Sequence, residues 1–407
     1  MTTLEEYALI VGQNVIDELK LLAEKLRGKT IQNINSTAVG GGVAEILNRM
    51  LPLLRELGVD ATWDVIKGGE SFFQVTKKFH NALHGRPEKI TPEMFDIFME
   101  TSKTNIDALN TDRDIIFVHD PQPIALIRKK PKLNNKWIWR CHIDVSHPDP
   151  QVWRFLKKFV FSYNACVFSA PAFSQKLPIR QFLIAPSIDP LSDKNKGLPQ
   201  GTIEAVLEKY GIIRDKPIIT QISRFDYLKD PVGVIEAFLK VRKYNECQLI
   251  LAGGTASDDP ESDQVLEEAR QKADNHPDIH ILAIPSGSDI EVNALQRAST
   301  IIVQKSLKEG FGLTVSEALW KARPVVASAV GGIPLQISHK YSGLLCHSTE
   351  GAAFAIKQLL NSPEYAKKLG ENGREHIKHN FLLTRHLRDY LLVFLSLYYS
   401  GDIVYLP

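Results

Sequence analysis

Residues 300–321 read TIIVQKSLKEGFGLTVSEALWK. Thr300-Ile301-Ile302-Val303-Gln304 is a short apolar run rich in β-branched residues, which predicts a buried strand. From Leu313 to Lys321 the residues take the pattern of an opening helix. Between them stands Gly310-Phe311-Gly312, whose glycines let the backbone approach a ligand closely. Strand, glycine turn and helix in that order is how a parallel α/β sheet presents backbone N–H groups to a phosphate. Glu309 stands in the loop before the helix, and Glu317, eight positions on, near its first turns. One extended ligand suits that spacing: a nucleotide sugar with its sugar at Glu309, its diphosphate at the turn and its ribose at Glu317. The plain alternative is a carboxylate at a helix start and an ordinary exposed helix residue.

Working outward, apolar runs predict further strands at 218–222, 248–252, 279–283 and 325–328. Toward the N terminus, 4–27 predicts a helix and 30–35 a strand, followed by Gly40-Gly41-Gly42. The next helix carries Val43, Leu47, Met50, Leu54 and Leu57 on one face. Strands are also predicted at 61–66, 115–119, 137–142, 167–169 and 182–184. Residues 187–201, PSIDPLSDKNKGLPQG with its leading proline, lose all periodicity and read as an interdomain linker. Alternating strands and helices in both halves predict an α/β protein of two Rossmann-like, doubly wound parallel-sheet domains facing a central cleft. The expected boundaries are 1–190 and 200–382, with 383–407 packing back on the first domain. A length of 407 residues permits two or three domains.

Ligands of such sheets bind beyond the carboxyl ends of the strands, and the unusual loops all stand at such ends. Arg224 and Lys229 follow the 218–222 strand, and two cations in one loop can clamp a diphosphate as it leaves. Solvated surface charges are the bland reading of the pair. The three-glycine turn is neither G-x-G-x-x-G nor a P-loop, so it permits close approach of backbone to sugar or phosphate without specifying which. His119-Asp120-Pro121 places an acceptor of sugar hydroxyl hydrogen bonds at a strand rim, or else an Asx-type turn. In Arg140-Cys141-His142-Ile143-Asp144, His142 is placed to donate to a sugar hydroxyl, with Arg140 or Asp144 bracing it.

Other chemistries find little support. Asp112-Arg113-Asp114 and Asp258-Asp259 read as solvated turns rather than metal ligands, so no metal site is expected. Four scattered cysteines form no C-x-x-C pair and suit a reduced, cytoplasmic setting. A net charge of +2 gives no footprint for nucleic acid. The apolar run 391–399 is too short to span a membrane, which takes about 20 residues, and predicts a buried helix.

Together these loops resemble the retaining family-4 glycosyltransferases of the two-Rossmann (GT-B) architecture, from about residue 30 to 390. Their E-x7-E motif corresponds to Glu309 and Glu317, with Arg224 and Lys229 ahead of it. Within that superfamily, NSTAVGGGVAEIL, VHDPQP, WRCHIDVSHP, PSIDPLSDKN, EGFGLTVSEALW and AVGGIPLQI are similar to stretches of the trehalose glycosyltransferring synthases. The resemblance implies transfer of glucose from UDP- or ADP-glucose to free glucose, giving α,α-1,1-trehalose. By the same resemblance, Arg224 and Lys229 hold the diphosphate and Glu309 the glucose hydroxyls. The backbone of Gly310, Phe311, Gly312 and Leu313 donates to phosphate and sugar, and Glu317 binds ribose. His142 contacts the transferred glucose, while Asp120, Arg140 and the Gly40, Gly41 and Gly42 loop place the acceptor. No cofactor is implied, with Mg2+ at most a stimulant. The implied partners are the nucleotide sugar and glucose, and a homodimer is allowed. Trehalose phosphorylases share the E-x7-E motif and stand as the rival, as do relatives with another sugar acceptor. A sugar-binding protein without catalysis is the rival from outside enzymology. One departure is Asp230-Pro231, where the family often has glycine after the lysine. A carboxylate there would repel diphosphate, so Asp230 is expected to turn away and cap the following helix.

Overall fold

Each strand expected from an apolar run is present in the computed structural model, which describes residues 3–38, 41–132, 134–254, 260–285 and 287–399. They are β1 (Thr30–Asn35), β2 (Asp60–Val65), β3 (Ile115–His119), β4 (Lys136–Arg140), β5 (Ala165–Phe168) and β6 (Arg180–Leu183). In the second half they are β7 (Ile218–Ile222), β8 (Gln248–Gly253), β9 (Ile279–Ala283), β10 (Ile301–Gln304) and β11 (Val325–Ser328). A further strand, β12 (Leu344–Cys346), is three residues long and too short to give a periodic signal. The expected single helix over 4–27 is two, Leu4–Val11 and Gln13–Glu24, broken at Gly12 with φ 94°.

The chain divides into two units, one running to Pro186 and resuming at Leu383, the other Ser187–Leu382. In the first, a six-stranded parallel sheet has the order β2-β1-β3-β4-β5-β6. In the second the order is β12-β11-β10-β7-β8-β9, also parallel. Each order reverses at one place, between β1 and β3 in the first sheet and between β7 and β10 in the second. At such a switch point the flanking crossovers lie on opposite faces, and a crevice opens beyond the strand ends. The topology thus selects two loops in each unit as candidates, those after β1 and β3 in the first and those after β7 and β10 in the second.

Burial on both faces explains why the strands read as continuous apolar runs. In the second unit Ile219, Leu249, Ile301 and Val326 pack against Val234, Ile235 and Phe238 of the helix Pro231–Arg242. On the other face Ile218, Ile222 and Ile250 meet Val206 and Leu207 of the helix Gln200–Lys209. In the first unit the closing helix Leu383–Ser396 lies on the helix Gln13–Glu24. Its Tyr390 and Phe394 rings stand edge-on to Phe117 of β3, at 4.9 and 5.5 Å. Leu391, Val393, Phe394, Leu395 and Leu397 of the 391–399 run are buried, while Tyr399 stays exposed, and no helix among the described residues is long and apolar enough to cross a membrane.

The 187–201 stretch is not a free linker. It folds onto the second unit, where Asp189 accepts from Leu191 N and its carbonyl from Asn195 Nδ2. Asn293 and Arg297 then hold the carbonyls of 193, 195 and 196. Proline, glycine and charge supply turns here, and the partners that hold the backbone lie about 100 positions away, which composition by itself does not reveal.

Candidate active site

In the second unit the loops after β7 and β10 meet through charge. Lys229 Nζ lies 2.5 Å from Glu309 Oε2, and Ser306 Oγ donates to the same oxygen at 3.2 Å. Both charged side chains are largely enclosed, at 18% and 9% exposure. Gln221, inside β7, ties the two loops to one point: its amide nitrogen donates to Lys229 O and its oxygen accepts from Lys305 N. Arg224 projects outward at 61% exposure, held by Asp226 at 3.0 Å. Asp226 also accepts from Leu228 N, fixing the short 3-10 turn that carries Lys229.

Gly312, with φ 80°, opens the helix Leu313–Trp320; Val315 N–H turns back to Gly312 O, and Leu313 and Thr314 stand at the helix start ahead of it. Gly331 and Gly332, after β11, press directly on the loop before it. A Cβ on Gly331 would lie 1.5 Å from Glu309 O, and one on Gly332 would lie 2.7 Å from Gly310 O. The Phe311 ring faces the core, 5.6 Å from Phe381, so only its backbone is left for a ligand. Glu317 is 2% exposed, with Lys194 Nζ 3.9 Å from its Oε1. Lys321, one turn on, donates to Glu317 O, Asn195 and Gln296, and burial pushes its pKa down to about 7. The structure therefore brings Arg224, Lys229, Glu309 and the 310–313 backbone to one sheet end. Glu317 lies enclosed as its side chain stands.

Asp230 behaves as its chemistry requires. At φ 49° it turns its carboxylate onto Gly233 N, capping the helix Pro231–Arg242, and its other oxygen pairs with Lys305 Nζ. Lys305 was not singled out by sequence; its only signal is a lysine placed directly after a buried strand. Asp230→Ala should cost about 3 kcal/mol of unfolding free energy, because the cap is lost and a 9% exposed ammonium loses its anion. Chemical denaturation measures this, and adding Lys305→Met should restore much of the loss.

In the first unit Asp120, at φ 66°, ends β3. Its Oδ1 accepts from His142 N at 2.8 Å, and its own N–H donates to Arg140 O. Burial raises its pKa to about 6, against the lowering effects of the His142 N–H and the Arg140 charge. His119 is driven down to about 3 by burial, then by Arg140. His142, half-buried, is also held well below the ordinary histidine value, first by burial.

Arg140 corrects an expectation. Its side chain is 0% exposed and donates to Ser169 Oγ and Ile184 O, so it braces strand ends and cannot itself touch an acceptor. Gly41 and Gly42 open the helix Gly41–Glu56, while Gly40 lies outside the described residues. Asp114 is occupied with Thr30 and Lys29, and Asp258-Asp259 fall outside the described residues. No cluster of three metal-ligating side chains stands among the described residues. All four cysteines are buried and unpaired.

Comparison with known proteins bears on both units. Residues 33–175 match the family model described as trehalose synthase, N-terminal domain, and residues 202–376 match glycosyl transferases group 1. The chain is 43% identical over 394 residues to the trehalose synthase of Thermococcus litoralis, covering 95% of each. It is 30% identical to a trehalose phosphorylase of Grifola frondosa, spanning 92% of this chain but 58% of that one. Among solved structures, a UDP-forming α,α-trehalose-phosphate synthase from Burkholderia xenovorans superposes with a TM-score of 0.72. That match covers 90% of this chain and 99% of the other at 16% identity, a likeness of fold of the GT-B kind.

Proposed function

The chain belongs to the trehalose synthase family of glycosyltransferases, and from that premise we propose that it forms α,α-1,1-trehalose from a nucleoside diphosphate glucose and free glucose. The donor binds in the second unit. Its diphosphate lies against Arg224, Lys229 and the N–H groups opening the helix Leu313–Trp320, where two cations and a helix start favour an anion. Its glucose hydroxyls donate to Glu309. Ribose reaches Glu317 once Lys194 gives way. The acceptor glucose lies in the first unit at Asp120 and the loop after β1, with His142 against the transferred sugar.

The reaction breaks the bond between the anomeric carbon and the phosphate oxygen, and forms a bond from that carbon to the acceptor's anomeric oxygen. A leaving-group phosphate oxygen takes the acceptor proton, so attack on the same face retains configuration. No protein nucleophile enters this scheme. What the residues supply is positioning and neutralisation of the departing charge.

The observation that carries the reading is the Lys229–Glu309 pair, a cation for phosphate and an acceptor for sugar held 2.5 Å apart at the switch point. The acceptor is proposed as free glucose because STAVGGGVAE, around the three glycines, contains no Arg or Lys for a sugar phosphate. Proton NMR of the protein with glucose and either UDP- or ADP-glucose, with and without Mg2+, tests this. An α,α-1,1 disaccharide with released diphosphate is expected. Glucose 1-phosphate from trehalose and inorganic phosphate, without transfer from a nucleotide sugar, would overturn it in favour of a phosphorylase.

A pH dependence follows from Asp120. Its carboxyl takes up a proton as pH falls through about 6, and a protonated acid is a weaker acceptor. The KM for glucose should therefore rise below about pH 6, and Asp120→Asn should lose that limb. The sign for stability is opposite to that of a salt-bridged carboxylate. The folded state binds this proton more tightly than the unfolded chain, so this group's contribution to stability declines as pH rises from 3.8 to about 6.

A further inference from the structure

Asn33, His119 and His142 form a hydrogen-bonded file in the first unit, running from β1 through the end of β3 to the loop after β4. His119 is 1% exposed, with Nε2 3.1 Å from Asn33 Oδ1 and Nδ1 3.1 Å from His142 Nε2. The two imidazoles lie 22° from parallel. An independent contact orients Asn33: its Nδ2 donates to Thr62 O at 3.3 Å, which leaves the amide oxygen facing His119.

That geometry dictates where the protons sit. An amide oxygen only accepts, so His119 carries its hydrogen on Nε2. Enclosure and the nearby Arg140 guanidinium keep His119 neutral, and a neutral ring protonated at Nε2 has a bare Nδ1. His142 Nε2 must then donate to it. Burial keeps the His142 ring neutral as well, so its Nδ1 is left as a lone pair. His142 is only half-buried, and Nδ1 makes no hydrogen bond to a described residue. The backbone is held in place by the His142 N–H to Asp120 contact.

We propose that Asn33 and His119 are positioning residues that fix His142 in the tautomer whose Nδ1 can only accept, so that this ring selects a sugar hydroxyl that donates to it. The identity of that ligand rests on the sugar-transfer reading above; the proton arrangement does not. The role expected of His142 from sequence, donation to a hydroxyl, is thereby reversed. Neither Asn33 nor His119 needs to touch substrate.

Long-range proton–nitrogen NMR of the full chain labelled with 15N-histidine reads the tautomers directly, with His119→Gln and His142→Gln assigning the signals. Near neutral pH, His142 should show a protonated Nε2 and a bare Nδ1. A hydrogen on Nδ1, or a doubly protonated ring, would overturn the proposal. Asn33→Leu removes the pin, so an Nδ1–H population should appear at His142 and kcat/KM for the sugar donor should fall about tenfold. Should that variant fail to fold, His119→Phe serves. It removes the acceptor that holds His142 Nε2–H, so an Nδ1–H population should likewise appear at His142. An unchanged tautomer in a folded variant would refute the positioning role. The predicted tautomer without any transfer to glucose would count against the functional reading and for the proton arrangement. Transfer with Nδ1 protonated would do the reverse.

Discussion

Lys229→Ala is expected to lower kcat for sugar transfer by about 10²–10³-fold, the range for loss of one preorganised group facing developing charge. Two effects add. The departing diphosphate loses an ammonium, and Glu309, 9% exposed and 2.5 Å from that ammonium, becomes an enclosed anion facing another anion. Glu309→Gln removes the second effect while keeping an acceptor for sugar hydroxyls. The double variant should accordingly lose less than the sum of the two singles, because the residues are in direct contact. Steady-state kinetics with the nucleotide sugar, alongside thermal unfolding to confirm a native second unit, measures both. A fall in kcat below about tenfold would remove Lys229 from the chemistry.

Gly331→Ala is expected to be as damaging without touching a charge. Gly331 sits at φ 55°, where an alanine is strained by about 1–2 kcal/mol. Its Cβ would lie 1.5 Å from Glu309 O, and that neighbour is backbone with no rotamer to change. Either the 331–332 turn or the 309–312 loop must move by more than an ångström. Overpacking of that kind adds about 1–3 kcal/mol, for a total loss of about 2–5 kcal/mol. Displacing Glu309 by about 1 Å should also cost about 10²-fold in activity. Gly201→Ala is the control, since nothing lies within 4 Å of its Cβ position and its φ is not positive. Denaturant midpoints and kcat/KM for the two variants separate the outcomes. A Gly331→Ala protein of ordinary stability and activity would mean the turn does not set the loop.

Sequence carried the site unevenly. Lys229 and Glu309 were legible because loops at strand ends follow from apolar runs, and charge in such loops stands out. Asp230 was legible through repulsion alone: a carboxylate next to a proposed diphosphate clamp has to turn away, and the helix start beside it supplies the partner. Lys305, Gln221 and Asn33 were not legible. Each is a polar residue within or just after a strand, and its meaning depends on which other strand lies next to it.

Arg140 shows the opposite error. Beside a candidate histidine it reads as a ligand group, yet the strand pairing turns it wholly inward. The 187–201 stretch misled similarly, because turn-forming composition is the same whether a segment crosses solvent or is stitched down by Asn293 and Arg297.

By itself, then, the sequence determined the alternation of strands and helices, the two-unit α/β architecture and the charged loops at strand ends. These follow from local periodicity and from residues a few positions apart. Tertiary structure decided the strand order that places β7 beside β10 and β1 beside β3. It also decided the Lys229–Glu309 and Asp230–Lys305 pairs and the Asn33–His119–His142 file. Each of those joins residues tens of positions apart in the chain, and a hydrogen bond or an ion pair exists only once folding has brought its two partners within reach.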